Sequence, residues 1–304
     1  MFFVLALGYF AGKRNAFDAD QAAGLSKLAV SFALPAALFV SMTDIKKDLL
    51  LQQGPLVLAL ILSHAGLFLV AWFVLERVKS LRGTPSIIYA LTVSTSATPV
   101  FGLAVLEPIL GPTSGGAVGL VALAINLTVP PAVILLEMDA AEHQGATAGS
   151  SHSSAVLKGL NSGLKSPLLW APILGVAVVL ASIPLPRVVT SCLQLIGSTT
   201  SGVAVFAVGL ILAAHAIRLS PAVWIGSVAR VTVQSAVLVA LLYLLKVQSP
   251  FAREALVCCS FPLATVSVLF AARYKAVESD TASMLLVSTL ALAVTVPAIL
   301  WLSR

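Results

Sequence analysis

Ten apolar stretches, separated by charged residues, proline, glycine or serine, make up most of this chain. They fall at 1–12, 24–43, 55–77, 86–106, 116–138, 167–185, 196–214, 221–245, 252–272 and 281–301. All but the first have close to the roughly 20 residues that an α-helix needs to cross a bilayer. The composition agrees, because 59% of residues are hydrophobic and only 10% are charged, against about 25% charged in soluble domains. The pattern predicts an all-α membrane protein with ten transmembrane helices.

The first apolar stretch reaches only as far as Lys13 and is short for a full span. It lacks both a basic region before its apolar run and a convincing small-residue cleavage site. We therefore expect it to form part of a spanning helix and not a signal peptide.

The one long polar stretch, residues 139–166, divides the apolar stretches into five and five and is rich in Gly, Ser and Ala. Such a composition is typical of a flexible linker. The predicted domains are a first repeat at 1–138, the linker, and a second repeat at 167–304. Lys and Arg number eleven in the loops on the linker's side and six in the opposite loops. The positive-inside rule then predicts a cell (inner) membrane protein with a cytoplasmic linker and both termini outside.

The two halves correspond under a shift of about 165 residues. This shift aligns Pro99 with Pro262 and Pro131 with Pro297. Because each half holds five spans, an odd number, the second half must cross the membrane inverted relative to the first. A proline removes a backbone donor and its ring clashes with the preceding turn. The fourth and ninth spans are therefore predicted to be broken at Pro99 and Pro262.

Hydroxyl side chains surround both predicted breaks: Ser94, Thr95, Ser96 and Thr98 at the first, and Ser260, Thr265 and Ser267 at the second. Backbone groups freed at a break cannot be satisfied by lipid, so they must face a polar cavity or a ligand. The half-helices beyond the prolines also direct positive dipole ends there, which suits a carboxylate. We predict a substrate site formed by these hydroxyls with Pro99 and Pro262. The alternative is that the hydroxyls only satisfy the kinked backbone.

Three other polar residues interrupt the apolar stretches. Arg230 can neutralise a carboxylate with its planar fork, or else its head extends to the membrane interface. His64 aligns with Arg230 under the repeat shift and titrates near neutral pH. It is a candidate for proton coupling, or else a packing histidine bonded to a helix carbonyl. Asn126 lies next to a pair of prolines and either lines the cavity or bonds to a neighbouring helix.

The sequence supports no metal, cofactor or nucleic-acid partner. His143 and His152 lie in the linker without further ligands nearby. Lys and Arg are scattered between apolar stretches and are not clustered on one face, as a nucleic-acid surface would require. The three cysteines are too few and too badly placed for a disulfide framework.

Five short segments, taken in their order and spacing, resemble the auxin efflux carrier family of membrane transporters, whose bacterial members include carriers of malonate and other small carboxylates. The segments are G8-Y-F-A-G-K-R14, F32-A-L-P-A-A-L-F39, S166-P-L-L-W-A-P-I-L-G175, G209-L-I-L-A213 and S283-M-L-L-V-S-T-L290. The resemblance covers nearly the whole chain.

The resemblance implies a 5+5 inverted repeat in which broken helices four and nine cross near the midplane. Helices 1, 2, 6 and 7 would form a scaffold that makes a homodimer, and helices 3–5 and 8–10 a mobile transport domain. One departure concerns the substrate. Many members carry an Asn a few residues before a Gly-x-Pro in the fourth helix, whereas this chain has A97-T-P-V-F-G-L-A104. Auxin is therefore not carried over as the substrate.

The predicted function is secondary active transport of a small mono- or dicarboxylate by alternating access, with proton coupling as one option. An auxin-like indole carboxylate efflux carrier and a sodium-coupled organic anion symporter are alternatives, as is a channel. No G-x-x-x-x-G-K-[ST] loop is present to use ATP. An intramembrane hydrolase would need an activated nucleophile, but neither G-x-S-x-G nor H-E-x-x-H occurs, so we expect no enzyme.

Overall fold

The computed structural model describes residues 2–44, 47–98, 102, 106, 109, 114–147, 161, 165, 167–214, 217, 219–247 and 251–302. Regular structure within these residues is helical, apart from one isolated β-bridge. The α-helices are α1 (Phe2–Lys13), α2 (Ala19–Leu28), α3 (Leu34–Thr43), α4 (Lys47–Gln52), α5 (Gly54–Ile61), α6 (Leu67–Leu75), α7 (Thr84–Ser94), α8 (Ser114–Thr147), α9 (Pro167–Leu180), α10 (Arg187–Ala214), α11 (Pro221–Leu244), α12 (Ala252–Cys259), α13 (Thr265–Arg273) and α14 (Glu278–Leu302).

Two π-helical segments and one short 3₁₀-helix complete the order. Ala29–Ala33 joins α2 to α3, and Leu62–Gly66 joins α5 to α6. The 3₁₀-helix is Lys79–Leu81. Because each π segment continues the helix on both of its sides, a single widened turn interrupts each of these two spans. Segments of this kind are frequent at functional sites.

Three helices within the described residues are long and apolar enough to cross a membrane: Gly54–Leu75, Gly116–His143 and Pro221–Leu244. The helix Gly116–His143 is central, because 72% of its most apolar 18 residues are buried, against 28% for Gly54–Leu75 and 22% for Pro221–Leu244. Large apolar side chains face outward on the other helices, for example Leu195 at 76% exposure. An outer surface of this kind suits a lipid surrounding.

Two helices begin or end well outside the apolar stretches that predicted them. α8 continues to Thr147, so the first part of the predicted linker 139–166 is helical. Its A140-A-E-H143 sequence is rich in good helix formers, and His143 Nδ1 lies 2.8 Å from the carbonyl of Asp139. α10 begins at Arg187, before the stretch 196–214, because its early polar residues Arg187, Thr190, Ser191 and Gln194 lower the hydropathy without breaking a helix.

Glycine allows α1 and α10 to touch backbone to backbone. A Cβ placed on Gly8 would lie 2.2 Å from the carbonyl oxygen of Phe206, and one on Gly209 would lie 2.4 Å from that of Leu5. A Cβ on Gly12 would lie 2.5 Å from the Cβ of Ala213. The G8-Y-F-A-G12 and G209-L-I-L-A213 segments therefore pack against each other, as small residues four apart do in membrane helix pairs.

Carboxylates tie several helix ends together. The carboxylate of Asp139 accepts from the backbone N–H and the hydroxyl of Thr84, and that of Asp280 accepts from Tyr89 at 2.8 Å. Glu137 accepts from the Tyr274 hydroxyl at 2.7 Å and from Arg273 at 3.2 Å. Burial raises the pKa of Tyr274, which keeps its hydroxyl a donor. These bonds connect α7, α8, α13 and α14.

Candidate functional site

Two helices break at neighbouring points in the core. α7 ends at Ser94 and the chain continues extended at Thr95, with φ −122° and ψ 139°. α12 ends at Cys259, and α13 begins at Thr265 after an extended Ala264. Pro262 is buried in the second break and explains it in part, whereas Pro99 lies outside the described residues. Each freed peptide therefore needs a partner other than its own helix.

The two broken segments supply that partner to each other. Ser96 and Leu263 form an antiparallel β-bridge. The N–H of Ala97 donates to the carbonyl of Pro262 at 2.8 Å, and the N–H of Ala264 donates to that of Thr95 at 3.2 Å. We call the two paired segments, Thr95–Thr98 and Ser260–Ala264, the crossing. The crossing satisfies backbone groups that lipid could not.

The hydroxyls predicted to hold the substrate mostly bond to helix carbonyls in this structure. Thr95 donates to Leu91 at 2.6 Å, Ser94 contacts the same carbonyl at 3.4 Å, and Ser260 donates to Val257 at 2.6 Å. Ser96 and Thr98 lie 2.7 Å apart, and Thr98 also donates to the carbonyl of Cys258 at 3.2 Å. In these bonds the hydroxyls stabilise the broken backbone, which was the alternative reading of the sequence.

Ser267 differs from the other hydroxyls. It is fully buried in the first turn of α13, and its Oγ has no partner among the described residues. The residue before that helix, Ala264, provides no side-chain cap either. Thr265, half-buried, is the first residue of the same helix. At the N-terminal end of α13 this free hydroxyl adjoins the N–H groups of Thr265 and Val266, which have no described partner. The N–H groups of Ala264 and Ser267 are already bonded to the carbonyls of Thr95 and Ala264.

Arg230 connects the carboxyl ends of the two broken helices. It is fully buried on α11, and its Nη1 donates to the carbonyl of Val93 at 3.0 Å while its Nη2 donates to that of Cys259 at 3.2 Å. Each helix end carries about half a negative charge. One guanidinium therefore compensates both ends at once. Its side chain is buried in the core, and its Nε has no partner within the described part of the chain.

His64 lies in the π segment Leu62–Gly66 and is fully buried. Its Nδ1 is 2.9 Å from the carbonyl of Leu60 and 3.1 Å from the hydroxyl of Ser63. The π segment packs against α11, which carries Arg230. The residues aligned by the repeat shift thus lie in one region of the fold, beside the crossing.

Gln234 belongs to this region although the sequence analysis did not select it. It is fully buried one turn after Arg230 on α11, and its Nε2 is 3.9 Å from the Sγ of Cys259. The sequence feature that could have identified Gln234 is an amide side chain four residues after an arginine within an apolar span. α14 also reaches the crossing: the Ser288 hydroxyl accepts from the N–H of Leu263 at 3.4 Å, and Thr295 donates to Ser260 at 3.4 Å.

Asn126 is 4% exposed on α8, which packs against α7 and α12. It therefore lies in the core with the crossing helices. No group of three or more His, Cys, Asp and Glu side chains that could hold a metal occurs in the part of the chain that the structure describes.

The chain matches one known protein family and several known proteins. Residues 1–300 match a family described as "Membrane transport protein". Proteins named "Uncharacterized transporter YfdV" from Escherichia coli K12, Escherichia coli O157:H7 and Shigella flexneri are each 30% identical to it over 304 residues. These alignments cover 99% of this chain and 95% of each relative. The chain belongs to this membrane transport protein family, the auxin efflux carrier family, and is a membrane protein.

Proposed function

We propose that this protein is a secondary transporter that carries a small organic anion, a mono- or dicarboxylate such as malonate, by alternating access. The anion would bind at the crossing, in a ten-helix arrangement of two inverted five-helix repeats. The pairing of Ser96 with Leu263 supports this arrangement, because it brings the breaks of two different helices to one point.

The observation that carries the proposal is the N-terminal end of α13. The N–H groups of Thr265 and Val266 have neither a side-chain cap nor a described backbone partner, and Ser267 Oγ is buried beside them without a described partner. A helix N-terminus attracts anions through its N–H groups and its dipole. A carboxylate there would accept from these N–H groups and from the Ser267 hydroxyl.

The charge distribution of the crossing favours an anion at the same place. Arg230 offsets the negative carboxyl ends of α7 and α12 through its bonds to Val93 and Cys259. The positive N-terminal end of α13 is then the remaining dipole end in the described part of the crossing. The electrostatic field at the proposed anion site would therefore come from helix ends. Arg230 would shape this field without contacting the anion.

The burial of the crossing favours a carrier over a channel. Ser96, Thr98, Ser267 and Pro262 are all buried. A solute could reach them only after helices move, as alternating access requires. A counterflow exchange assay separates the two, since a channel shows no trans-stimulation.

The test is binding and uptake by purified protein in proteoliposomes. Radiolabelled malonate, a monocarboxylate and indole-3-acetate would be compared, with and without sodium. Ser267→Ala should weaken binding of the transported carboxylate about tenfold or more, because a hydrogen bond to a charged group is worth about 1.5–3 kcal/mol. Ser198→Ala removes an exposed hydroxyl that bonds within α10, and should have no effect. If Ser267→Ala and Ser198→Ala bind the carboxylate with equal affinity, the N-terminal end of α13 is not part of the site.

Proton coupling through His64 is a competing hypothesis with its own measurement, because it requires the imidazole to take up a proton and excludes a ring that stays neutral from pH 5.5 to 8. If the imidazole carries the proton, uptake by His64→Gln should lose the pH dependence that wild-type protein shows between pH 5.5 and 8. An unchanged profile would take His64 out of the coupling step and leave the anion site standing.

A further inference from the structure

Besides Ser267 Oγ, and Ser227 Oγ and Ser235 Oγ on α11, three buried polar atoms near the crossing have no hydrogen-bond partner among the described residues. They are His64 Nε2, Arg230 Nε and Gln234 Oε1, and each side chain is 0% exposed. A buried polar group left without a partner costs about 1–3 kcal/mol. Three such groups in one region indicate a bound molecule that satisfies them together.

Two of the three side chains share a neighbour, and the third lies on a segment that packs against their helix. Arg230 reaches the carbonyl of Cys259 at 3.2 Å, and Gln234 approaches the Sγ of the same residue at 3.9 Å. The π segment that carries His64 packs against α11, which carries Arg230 and Gln234. The unpartnered atoms thus belong to a single cluster between the π segment, α11 and the end of α12.

The contact of His64 with Leu60 fixes its tautomer. A carbonyl oxygen can only accept, so Nδ1 must carry the hydrogen in its 2.9 Å bond to Leu60. In the neutral ring Nε2 is then an acceptor. Of the helices packed against the π segment, α5, α6 and α7 carry no charged residue, α8 has its acidic residues in its last turns, and α11 carries Arg230. A second positive charge beside Arg230 would be repelled in this buried setting, so the ring stays neutral.

The three unpartnered atoms are therefore one donor, Arg230 Nε, and two acceptors, His64 Nε2 and Gln234 Oε1. A water molecule accepts and donates in this combination, and buried waters typically make about three hydrogen bonds. We propose that His64, Arg230 and Gln234 form a binding site for one buried water molecule. The water accepts from Arg230 and donates to the other two. It ties the third span to the guanidinium that holds the crossing, and the site requires no transported substrate.

The tautomer gives a direct test. Protein labelled with ¹⁵N-histidine, in lipid bilayers without substrate, contains four histidines, and loss of one signal set in His64→Gln identifies His64. We expect a neutral ring with hydrogen on Nδ1 from pH 5.5 to 8, and magnetisation transfer from water protons to Nε2. Hydrogen on Nε2, protonation within this range, or no contact with water would overturn the proposal.

Two variants of α11 sharpen the test. Gln234→Leu removes one acceptor, so the His64 Nε2 resonance should shift and its transfer from water should weaken. Thr232→Val is the matched control, because this exposed hydroxyl bonds to Val228 within the same helix. Equal His64 spectra in the two variants would contradict a shared water. Because no substrate is added, failure here leaves the carboxylate proposal untouched, and the reverse also holds.

Discussion

The guanidinium of Arg230 joins the ends of two broken helices through backbone carbonyls. For an arginine within an apolar span, the expected partner was a carboxylate. Its partners in the structure are two backbone carbonyls, those of Val93 and Cys259, which lie about 165 residues apart. This spacing equals the shift of the proposed repeat, under which the two carbonyls would be equivalent. No local pattern could predict this, because both acceptors are backbone atoms and are defined only by the fold.

Removing this bridge should destabilise the protein. Arg230→Leu leaves the carbonyls of Val93 and Cys259 buried without their donor, at about 1–3 kcal/mol for each group. We expect a clear fall in the unfolding temperature of the detergent-solubilised protein without substrate. The unfolding temperature of Arg230→Lys should lie between those of the wild type and Arg230→Leu, since a single ammonium lacks the planar fork that reaches both carbonyls.

The control for this measurement is Arg187→Leu, at the exposed start of α10. An unfolding temperature of Arg230→Leu equal to that of the control would show that the bridge carries no stability. If instead stability is kept while carboxylate binding disappears, Arg230 contacts the anion directly, as the sequence first suggested.

At the scale of the helix, hydropathy and the positions of prolines predicted more of the structure than they did at the scale of single side chains. The breaks expected near Pro99 and Pro262 correspond to a helix end at Ser94 and a gap between Cys259 and Thr265. The partners of the freed peptides were not predictable, because the two N–H to carbonyl bonds join segments far apart in the chain. The π segments also escaped prediction, since one extra residue per turn hardly changes an apolar stretch.

The contact between α1 and α10 gives a prediction for a whole element. Gly209→Val would place a Cβ 2.4 Å from the carbonyl of Leu5 and 2.7 Å from the nitrogen of Tyr9, both backbone atoms that cannot move aside. We expect the helix pair to separate and the unfolding temperature to drop markedly. Gly202→Ala, on the same helix, meets nothing within 4 Å. It should raise stability slightly, by about 1 kcal/mol or less from helix propensity. Equal thermal stabilities would contradict the close packing.

At the scale of the whole molecule, the carboxylate bonds hold α7, α8, α13 and α14 to one another. These are helices of the body that we propose to move, whereas α1 and α10 belong to the proposed scaffold. The packing agrees with such a division, because close backbone contact makes the α1–α10 pair rigid.

We further propose that the protein is a homodimer through this scaffold. Val188, Cys192 and Leu195 form an exposed stripe on α10, with Val188 at 73% and Leu195 at 76% exposure. Cys258 and Cys259 are buried, so Cys192 is the accessible thiol among the three cysteines. A short bismaleimide added to native membranes should therefore yield a crosslinked dimer, and Cys192→Ser should abolish it. A wild-type protein that stays monomeric under these conditions would argue against a dimer through α10.

The bridge formed by Arg230 also bears on how the protein would respond to membrane voltage. Moving one elementary charge through the full potential is worth about 2.3 kcal/mol per 100 mV. An unpaired arginine on the moving body would make even the empty return step voltage-dependent. The two carboxyl ends hold Arg230 without cancelling its formal charge, because a helix dipole carries no net charge, so the empty body would carry about one positive charge at the crossing. The electrical work of a transport cycle would then fall on the empty return step for a monovalent anion, and would be shared with the loaded step for a divalent one.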